Sequence, residues 1–335
     1  LNERYQYIVI DTNNFVYRSL YTTIKEENKD KYSDQELLEL FGRIQLSFIQ
    51  RINQFIFDFG YKESSEVFFI FDNPTSAYQI RKLISNGEYK HERFKKGTPP
   101  EVKFALNTLN EFLFYYSDKY RILRSKSLEA DDLTNVIKNY KKPNHQNKML
   151  FISADLDWSR NIDENCHWFN YKWDYENKCH KIYDIDRFRN EQGFTPKGNS
   201  VQLYKTFMGD SSDAIKKPCR IDMKRRSDYN STILYICNNY TDLESIFKNM
   251  WVDPNIDNYF CKKFKEYERE IKINYRLVDF FEPEENVLDD LIVCKESVSL
   301  LRLKFNEFCM PLESRLVEKK IEVKETGFLK KNNYC

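Results

Sequence analysis

The chain has 335 residues, enough for one large domain or two fused ones with ample core. Lys and Arg number 53 against 52 Asp and Glu, so the net charge of +1 removes any argument from overall basicity, while 41% hydrophobic and 31% charged residues exclude a disordered chain. No apolar run approaches the ~20 residues of a membrane span.

The opening LNERYQYIVI has too short an apolar run for a signal peptide, and the initial Leu suggests that an initiator residue or a longer N-terminus precedes it. A strand is predicted at 5–10, then helices near 14–24 and 33–58, the latter carrying Leu37, Leu38, Phe41, Ile44, Phe48 and Ile52 at helical spacing. A strand at 66–71, a helix near 75–86 and a basic stretch at 88–100 follow. Next come a helix near 101–117, a strand at 120–124 and a helix opening at Glu129. The strand at 148–153 precedes a helix near 156–162. CHWFNYKWDY and KCHKIYDI then alternate with period two around Glu176 and Asn177, which reads as a β-hairpin. Beyond about 198 the pattern is helical or loop, with Leu288, Ile292, Leu300, Leu303 and Phe305 as expected core. The expected architecture is α/β with a mostly parallel sheet over 1–195 and a helical subdomain over 196–335. Eight scattered Cys form no compact framework, so reduced thiols in a cytoplasmic setting (host cytoplasm, for a viral chain) are expected.

Nine acidic residues sit where such a fold could aim them at one point: Asp11, Asp72, Glu129, Asp131, Asp132, Asp155, Asp157, Asp210 and Asp213. Asp11, Asp72 and Asp155 follow the apolar runs Tyr7 to Ile10, Val67 to Phe71 and Met149 to Ile152. In open α/β sheets, ligands bind at the carboxyl ends of strands. Each motif has an ordinary alternative, because acids favour helix N-termini and turns. Their conjunction favours a shared site. So many carboxylates need counter-charge, and oxygen donors without His or Cys suit Mg²⁺ or Mn²⁺. Two such ions can flank a phosphodiester.

Basic residues gather elsewhere. Arg81, Lys82, Lys90, His91, Arg93, Lys95, Lys96 and Lys103 crowd one segment, and Lys216, Lys217, Arg220, Lys224, Arg225 and Arg226 form another. Both read as phosphate-backbone contacts or as plain surface. A third run, Lys262 to Arg276, is interleaved with Glu266, Glu268 and Glu270 and reads as a solvated helix face laced with ion pairs.

IDTNNFVYR, FIFDN, EYKHERFKKG, LEADDL, ISADLDW and FMGDSSDAI, in that order, resemble the 5′ nuclease superfamily of flap endonucleases and 5′→3′ exonucleases. The likeness covers about residues 5–240 and is nearest to stand-alone phage-type enzymes such as phage RNase H; no polymerase-attached form is expected, since nothing long enough follows. It implies a PIN-like (Rossmann-like) sheet and hydrolysis of phosphodiesters near 5′ ends of branched, flapped or nicked DNA, or of RNA–DNA duplex. Asp11, Asp72, Glu129 and Asp131 would surround one Mg²⁺, with Asp155, Asp157, Asp210 and Asp213 nearer a second, Mn²⁺ being an alternative and Asp132 acting through water. Lys90 and Arg93 would contact the scissile phosphate, Tyr89 would stack on an unpaired base, and Arg18 matches a basic position after the first Asp. Arg81, Lys95 and Lys96 would join the nucleic-acid contacts. A sliding clamp or single-strand binding protein is an implied partner of a monomeric enzyme.

After GDSSD the family has a Gly-rich helix-turn-helix that holds duplex phosphates and often K⁺. Here Ala214 to Arg226 contains no Gly. Glycine allows close backbone approach and positive φ, so the expected element is degenerate, with basic side chains replacing the backbone nest and the K⁺ site in doubt.

Three rival readings compete with this one. A haloacid-dehalogenase-like phosphatase needs a second Asp two residues after the first, and position 13 is Asn. Zinc could engage Cys166-His167 and Cys179-His180, although adjacent strand residues face opposite ways. A non-catalytic DNA-binding protein on the same fold would have lost carboxylates, and all nine are present.

Overall fold

The computed structural model describes residues 4–23, 54–55, 57–60, 65–72, 76–91, 106, 120–123, 125 and 127–281, with backbone only at 18–23, 120, 122 and 173. Its sheet has strands β1 (Tyr7–Asp11), β2 (Glu66–Ile70), β3 (Tyr120–Leu123), β4 (Met149–Ile152), β5 (Cys166–Asp174) and β6 (Cys179–Tyr183), in the order β3-β2-β1-β4-β5-β6. The first five strands pair in parallel and β6 returns antiparallel to β5. The order reverses between β1 and β4, where the chain leaves one side of β1 and returns on the other. A crevice opens at such a switch point, beyond the carboxyl ends of the strands.

Both faces of the sheet are covered, which explains the continuous apolar runs. Side chains alternate along a strand. Accordingly Ile8, Ile10, Val67, Phe69, Leu150 and Ile152 enter one buried cluster, while Val9, Phe68, Ile70, Met149 and Phe151 enter another. The described helices are α1 (Thr12–Thr23), α2 (Ser76–Ile84), α3 (Ala130–Lys141), α4 (Ile185–Gln192), α5 (Ser200–Met208), α6 (Arg226–Asn239), α7 (Leu243–Asn249), α8 (Asn258–Glu266) and α9 (Glu268–Leu277). Short 3₁₀ turns cover Leu156–Asn161, Ser211–Asp213 and Met223–Arg225. The segment expected as a helix after β4 is thus a tighter 3₁₀ turn, capped by the Asp155 carboxylate.

The second cluster continues from Val9, Phe151 and Trp158 through Phe207, Ile233 and Phe264 to Ile271, so one core crosses the boundary expected at 195/196. The third basic run forms the ion pairs Lys263–Glu266, Lys265–Glu268 and Lys272–Glu268. Zinc at the hairpin is ruled out by register. Cys166 and His167 pair with Met149 and Leu150, whereas Cys179 and His180 lie opposite Asp174 and Trp173. At ~3.3 Å per residue even the nearest members of the two dipeptides, His167 and His180, are about 20 Å apart along β5. The helix near 101–117, most of that at 33–58, and the C-terminal core residues fall outside the described residues. Among the described residues, no helix is long and apolar enough to cross a membrane.

Phe264 is fully buried against Phe207 and Tyr229. Its replacement by Ala should cost about 3–5 kcal/mol in urea denaturation. Tryptophan fluorescence and far-UV circular dichroism should still report one shared transition; an earlier, separate loss of helical signal would show that the helices melt apart from the sheet.

Candidate active site

Asp11 ends β1, and its carboxylate accepts the Ser153 hydroxyl at 2.7 Å and the Asn14 amide at 3.1 Å. Ser153 directly follows β4, so this contact spans the switch point. The Ser153 hydroxyl also accepts the Asp155 amide at 3.0 Å, and Asp155 in turn accepts the Asp157 amide at 3.1 Å. Asp72 lies two residues beyond β2 and accepts the Ala130 amide at 3.0 Å, at the first turn of α3. Asp131 in that turn accepts the indole N–H of Trp158 at 2.7 Å. Strand ends and one helix start therefore deliver Asp11, Asp72, Asp131, Asp155 and Asp157 to a single crevice.

The GDSSD turn completes it. Gly209 has φ +73, and a Cβ there would lie 2.7 Å from the Ile215 carbonyl, so only glycine fits. The turn closes through paired backbone hydrogen bonds between Asp210 and Ile215. Asp157, Asp210 and Asp213 then each offer a carboxylate oxygen within 4.8 Å of one another. Ala214 adopts φ +62, so this loop holds a left-handed residue without glycine.

Crowding shows in the acid–base behaviour. Burial pushes the Asp11 carboxyl up to about 7, with Asp72 and Asp155 adding to it. Asp131 is raised by burial and then by Asp155 and Asp157. Burial and neighbouring carboxylates likewise raise Asp157 and Asp213. Asp72 is raised by desolvation and by Glu129 and Asp213, against the opposing charge of Lys90.

Two lysines answer this charge. The Lys90 ammonium meets Glu129 at 2.8 Å, and its backbone amide donates to the Asp213 carbonyl at 3.1 Å. Lys90 has φ +51. Lys205, on α5, lies 2.6 Å from both Asp157 and Asp210 and 3.8 Å from Asp155. Burial disfavours its charge, but Asp157, Asp155 and Asp210 outweigh that and raise its pKa. The same Lys205 contact and two donations from Ser212 overcome burial at Asp210, which falls to about 2. Sequence reading missed Lys205. Its signal was a lone cation on a helix whose Val201 and Phe207 are buried core.

Other expected site residues are placed differently. Asp132 is fully buried and is engaged by Arg81 at 2.8 Å, by the Glu129 amide at 3.0 Å and by the Phe281 amide at 2.9 Å. Glu129 caps α3 and is held by Arg81 and Lys90, which outweigh its burial and lower its pKa. Arg81 was expected at a nucleic-acid surface, yet it is 4% exposed and bonded to Glu129, Asp132 and the Asp279 carbonyl. Its location on a helix face turned to α3 makes it an internal counter-ion. Tyr89, expected to stack on a base, is also buried, with its hydroxyl donating to Glu129 and Asp213. Lys216, Lys217, Arg220, Lys224 and Arg226 are exposed, whereas Arg225 pairs with Asp257 at 2.8 Å. Arg93, Lys95, Lys96 and the Arg18 side chain lie outside the described residues.

Residues 6–193 match the family model described as the 5′-3′ exonuclease, N-terminal resolvase-like domain. No curated protein matches the chain in sequence. A bacteriophage T5 flap endonuclease, solved as a pseudo-enzyme-product complex with DNA and metal ions, superposes with a TM-score of 0.55 at 15% identity, over 92% of this chain and 98% of that one. T5 5′-exonuclease with bound zinc ions gives 0.53 at 17% identity, over 92% and 98%. Human GEN1 with Holliday junction DNA gives 0.50 at 12% identity, over 97% and 76%. These likenesses are of fold, a PIN-like, mostly parallel sheet flanked by helices.

An acid with a folded-state pKa near 7 and an unfolded value near 3.8 stabilises the fold below about pH 4, and that contribution is lost as pH rises through about 7. Metal-free protein should therefore lose melting temperature between pH 5 and 8. Asp11→Asn should shrink that slope and raise the melting temperature at pH 8, by up to a few kcal/mol in stability terms. An unaltered slope in chelator-treated samples would count against this account.

Proposed function

The chain belongs to the 5′-3′ exonuclease family defined by its N-terminal resolvase-like domain, and on that premise we propose that it is a structure-dependent 5′ nuclease. Its substrate is branched, flapped or nicked DNA, or an RNA–DNA duplex, cut near the 5′ end. The observation that carries this reading is that Asp157, Asp210 and Asp213 offer oxygens within 4.8 Å of one another, while hydrogen bonds through Ser153 and Trp158 tie Asp11, Asp155 and Asp131 to the same turn.

The donor set fits hard divalent cations: all oxygen, several carboxylates raised by mutual repulsion, and three with oxygens close enough to share one ion. Asp157, Asp210 and Asp213 would hold one Mg²⁺, and Asp11, Asp72 and Asp131 another. Bound there, the ions supply Lewis-acid activation of water and neutralisation of phosphate charge. The side chains do the rest. Lys90, tied by its backbone to the GDSSD turn and by its ammonium to Glu129, would turn its charge toward the scissile phosphate and stabilise the added negative charge. Lys205, 2.6 Å from both Asp157 and Asp210, favours the ionised form of each. Lys216, Lys217, Arg220, Lys224 and Arg226 offer exposed cations for the duplex backbone.

An end-labelled 5′-flap substrate tests the proposal directly. The unaltered chain should release short labelled products with Mg²⁺ and none in chelator. Asp155→Asn should still bind that flap in Ca²⁺ while losing cleavage in Mg²⁺ by at least a hundredfold, on the order of the loss of a transition-state electrostatic partner; full activity would exclude the scheme.

Lys224→Ala and Arg226→Ala should each lower the salt dependence of duplex binding by about one unit of log–log slope. Arg225→Ala should change it less, because that guanidinium is already paired. Fluorescence anisotropy over a salt series distinguishes these outcomes, and equal slopes throughout would leave the run as ordinary surface.

A further inference from the structure

Two buried arginines from opposite halves of the crevice converge on one short segment after α9. Arg160 lies three residues past Asp157 on the same 3₁₀ turn. Its guanidinium donates to the Val278 carbonyl at 2.6 Å, pairs with Asp279 at 3.6 Å and stacks 3.7 Å from the Phe280 ring centroid. Arg81 holds Glu129 and Asp132 at the start of α3. It donates to the Asp279 carbonyl at 2.7 Å and stacks 4.7 Å from the Phe281 ring centroid. The Phe281 amide returns to Asp132 at 2.9 Å. Four consecutive residues, Val278 to Phe281, thus join the α3 start, which carries Asp131, to the turn that carries Asp155 and Asp157.

The preceding helix is itself fastened beside the third group of acids. Asn274 donates to the Thr206 carbonyl at 3.1 Å and to the Lys216 carbonyl at 2.9 Å, on either side of the GDSSD turn. Gln202 donates to the Tyr275 carbonyl at 3.1 Å. None of these groups offers an oxygen to the crevice. Each fixes the backbone from which a carboxylate projects.

We infer that the segment Val278–Phe281, gripped by Arg81 and Arg160, is a positioning strap that sets the divalent-cation affinity of the carboxylate cluster. Like-charged carboxylates spread apart unless their backbones are held, and a cation binds weakly to a spread site. Arg81 and Arg160 are therefore positioning residues that act through α3 and the 3₁₀ turn. Arginine suits this role because its planar fork bonds in two directions while its face stacks on an aromatic ring. The inference deepens the nuclease reading and rests on it for the use of the cation.

The test reads cation binding separately from cleavage. Mn²⁺ alone is titrated calorimetrically into the full chain, without nucleic acid, for the unaltered protein, Arg160→Gln, Arg160→Lys, Phe280→Ala and Phe280→Leu. Loss of the strap contact should weaken Mn²⁺ about tenfold, the scale seen when groups that orient metal ligands are removed. Arg160→Lys should recover part of the loss, and Phe280→Leu keeps apolar volume if the alanine variant fails to fold. On the flap substrate the same variants should need more Mg²⁺ for half-maximal rate, with kcat recovering at high Mg²⁺ and KM for the flap unchanged. Arg189→Gln, which breaks the exposed Arg189–Asp186 pair on α4, is the control. Folded strap variants that bind Mn²⁺ no more weakly than this control overturn the inference. A chain that binds Mn²⁺ as expected yet cuts no flap overturns the nuclease reading instead.

Discussion

The constraint that organises this molecule is repulsion among carboxylates drawn out of water. Asp11, Asp131, Asp157 and Asp213 are all raised chiefly by burial, with neighbouring carboxylates adding to it. Such an assembly would relax if its members rode on flexible loops. Instead each is fixed by a rigid neighbour: Asp11 by Ser153 and the start of α1, Asp131 by Trp158, Asp210 by the closed turn at Gly209. The sheet supplies the reason they meet at all. Its strand order places the ends of β1 and β4 side by side at the switch point, and stability stored in two apolar faces holds that arrangement against the charge.

Much of this was legible in the residues. Apolar runs ending in Asp located β1 and β2, and the run ahead of Asp155 located β4, because parallel strands buried on both faces leave few other readings for such runs. The hairpin was visible in its period-two alternation, and the ion-paired face of α8 and α9 in its alternating charge. What the sequence hid were partnerships across distance. Nothing local distinguishes Asp132 from Asp131, yet one faces Arg81 and the other Trp158, since successive residues on a helix point about 100° apart. Arg81 and Tyr89 looked like surface groups because they sit in a basic stretch. Their burial depends on α3 and the GDSSD turn, far away in sequence. Lys205 was overlooked because a single lysine carries little signal until the acids around it are in place.

The helices after β6 serve the same centre rather than forming an appendage. Phe207, Ile233 and Phe264 belong to the cluster that also contains Val9 and Phe151, so the sheet and the GDSSD turn are fixed by one packed interior. The exposed cations between Lys216 and Arg226 consequently have a rigid relation to the crevice.

Lys90 shows what the molecule tolerates to keep its charges in order. An L-residue in the left-handed region costs roughly 1–2 kcal/mol, and at φ +51 Lys90 carries that strain. Glycine would sit there comfortably and leave Glu129 with Arg81 alone as its counter-ion. Selection for maximal robustness would favour the smaller residue. Keeping an ammonium at that corner is a compromise in which conformational comfort yields to charge balance among Glu129, Asp213 and Asp72.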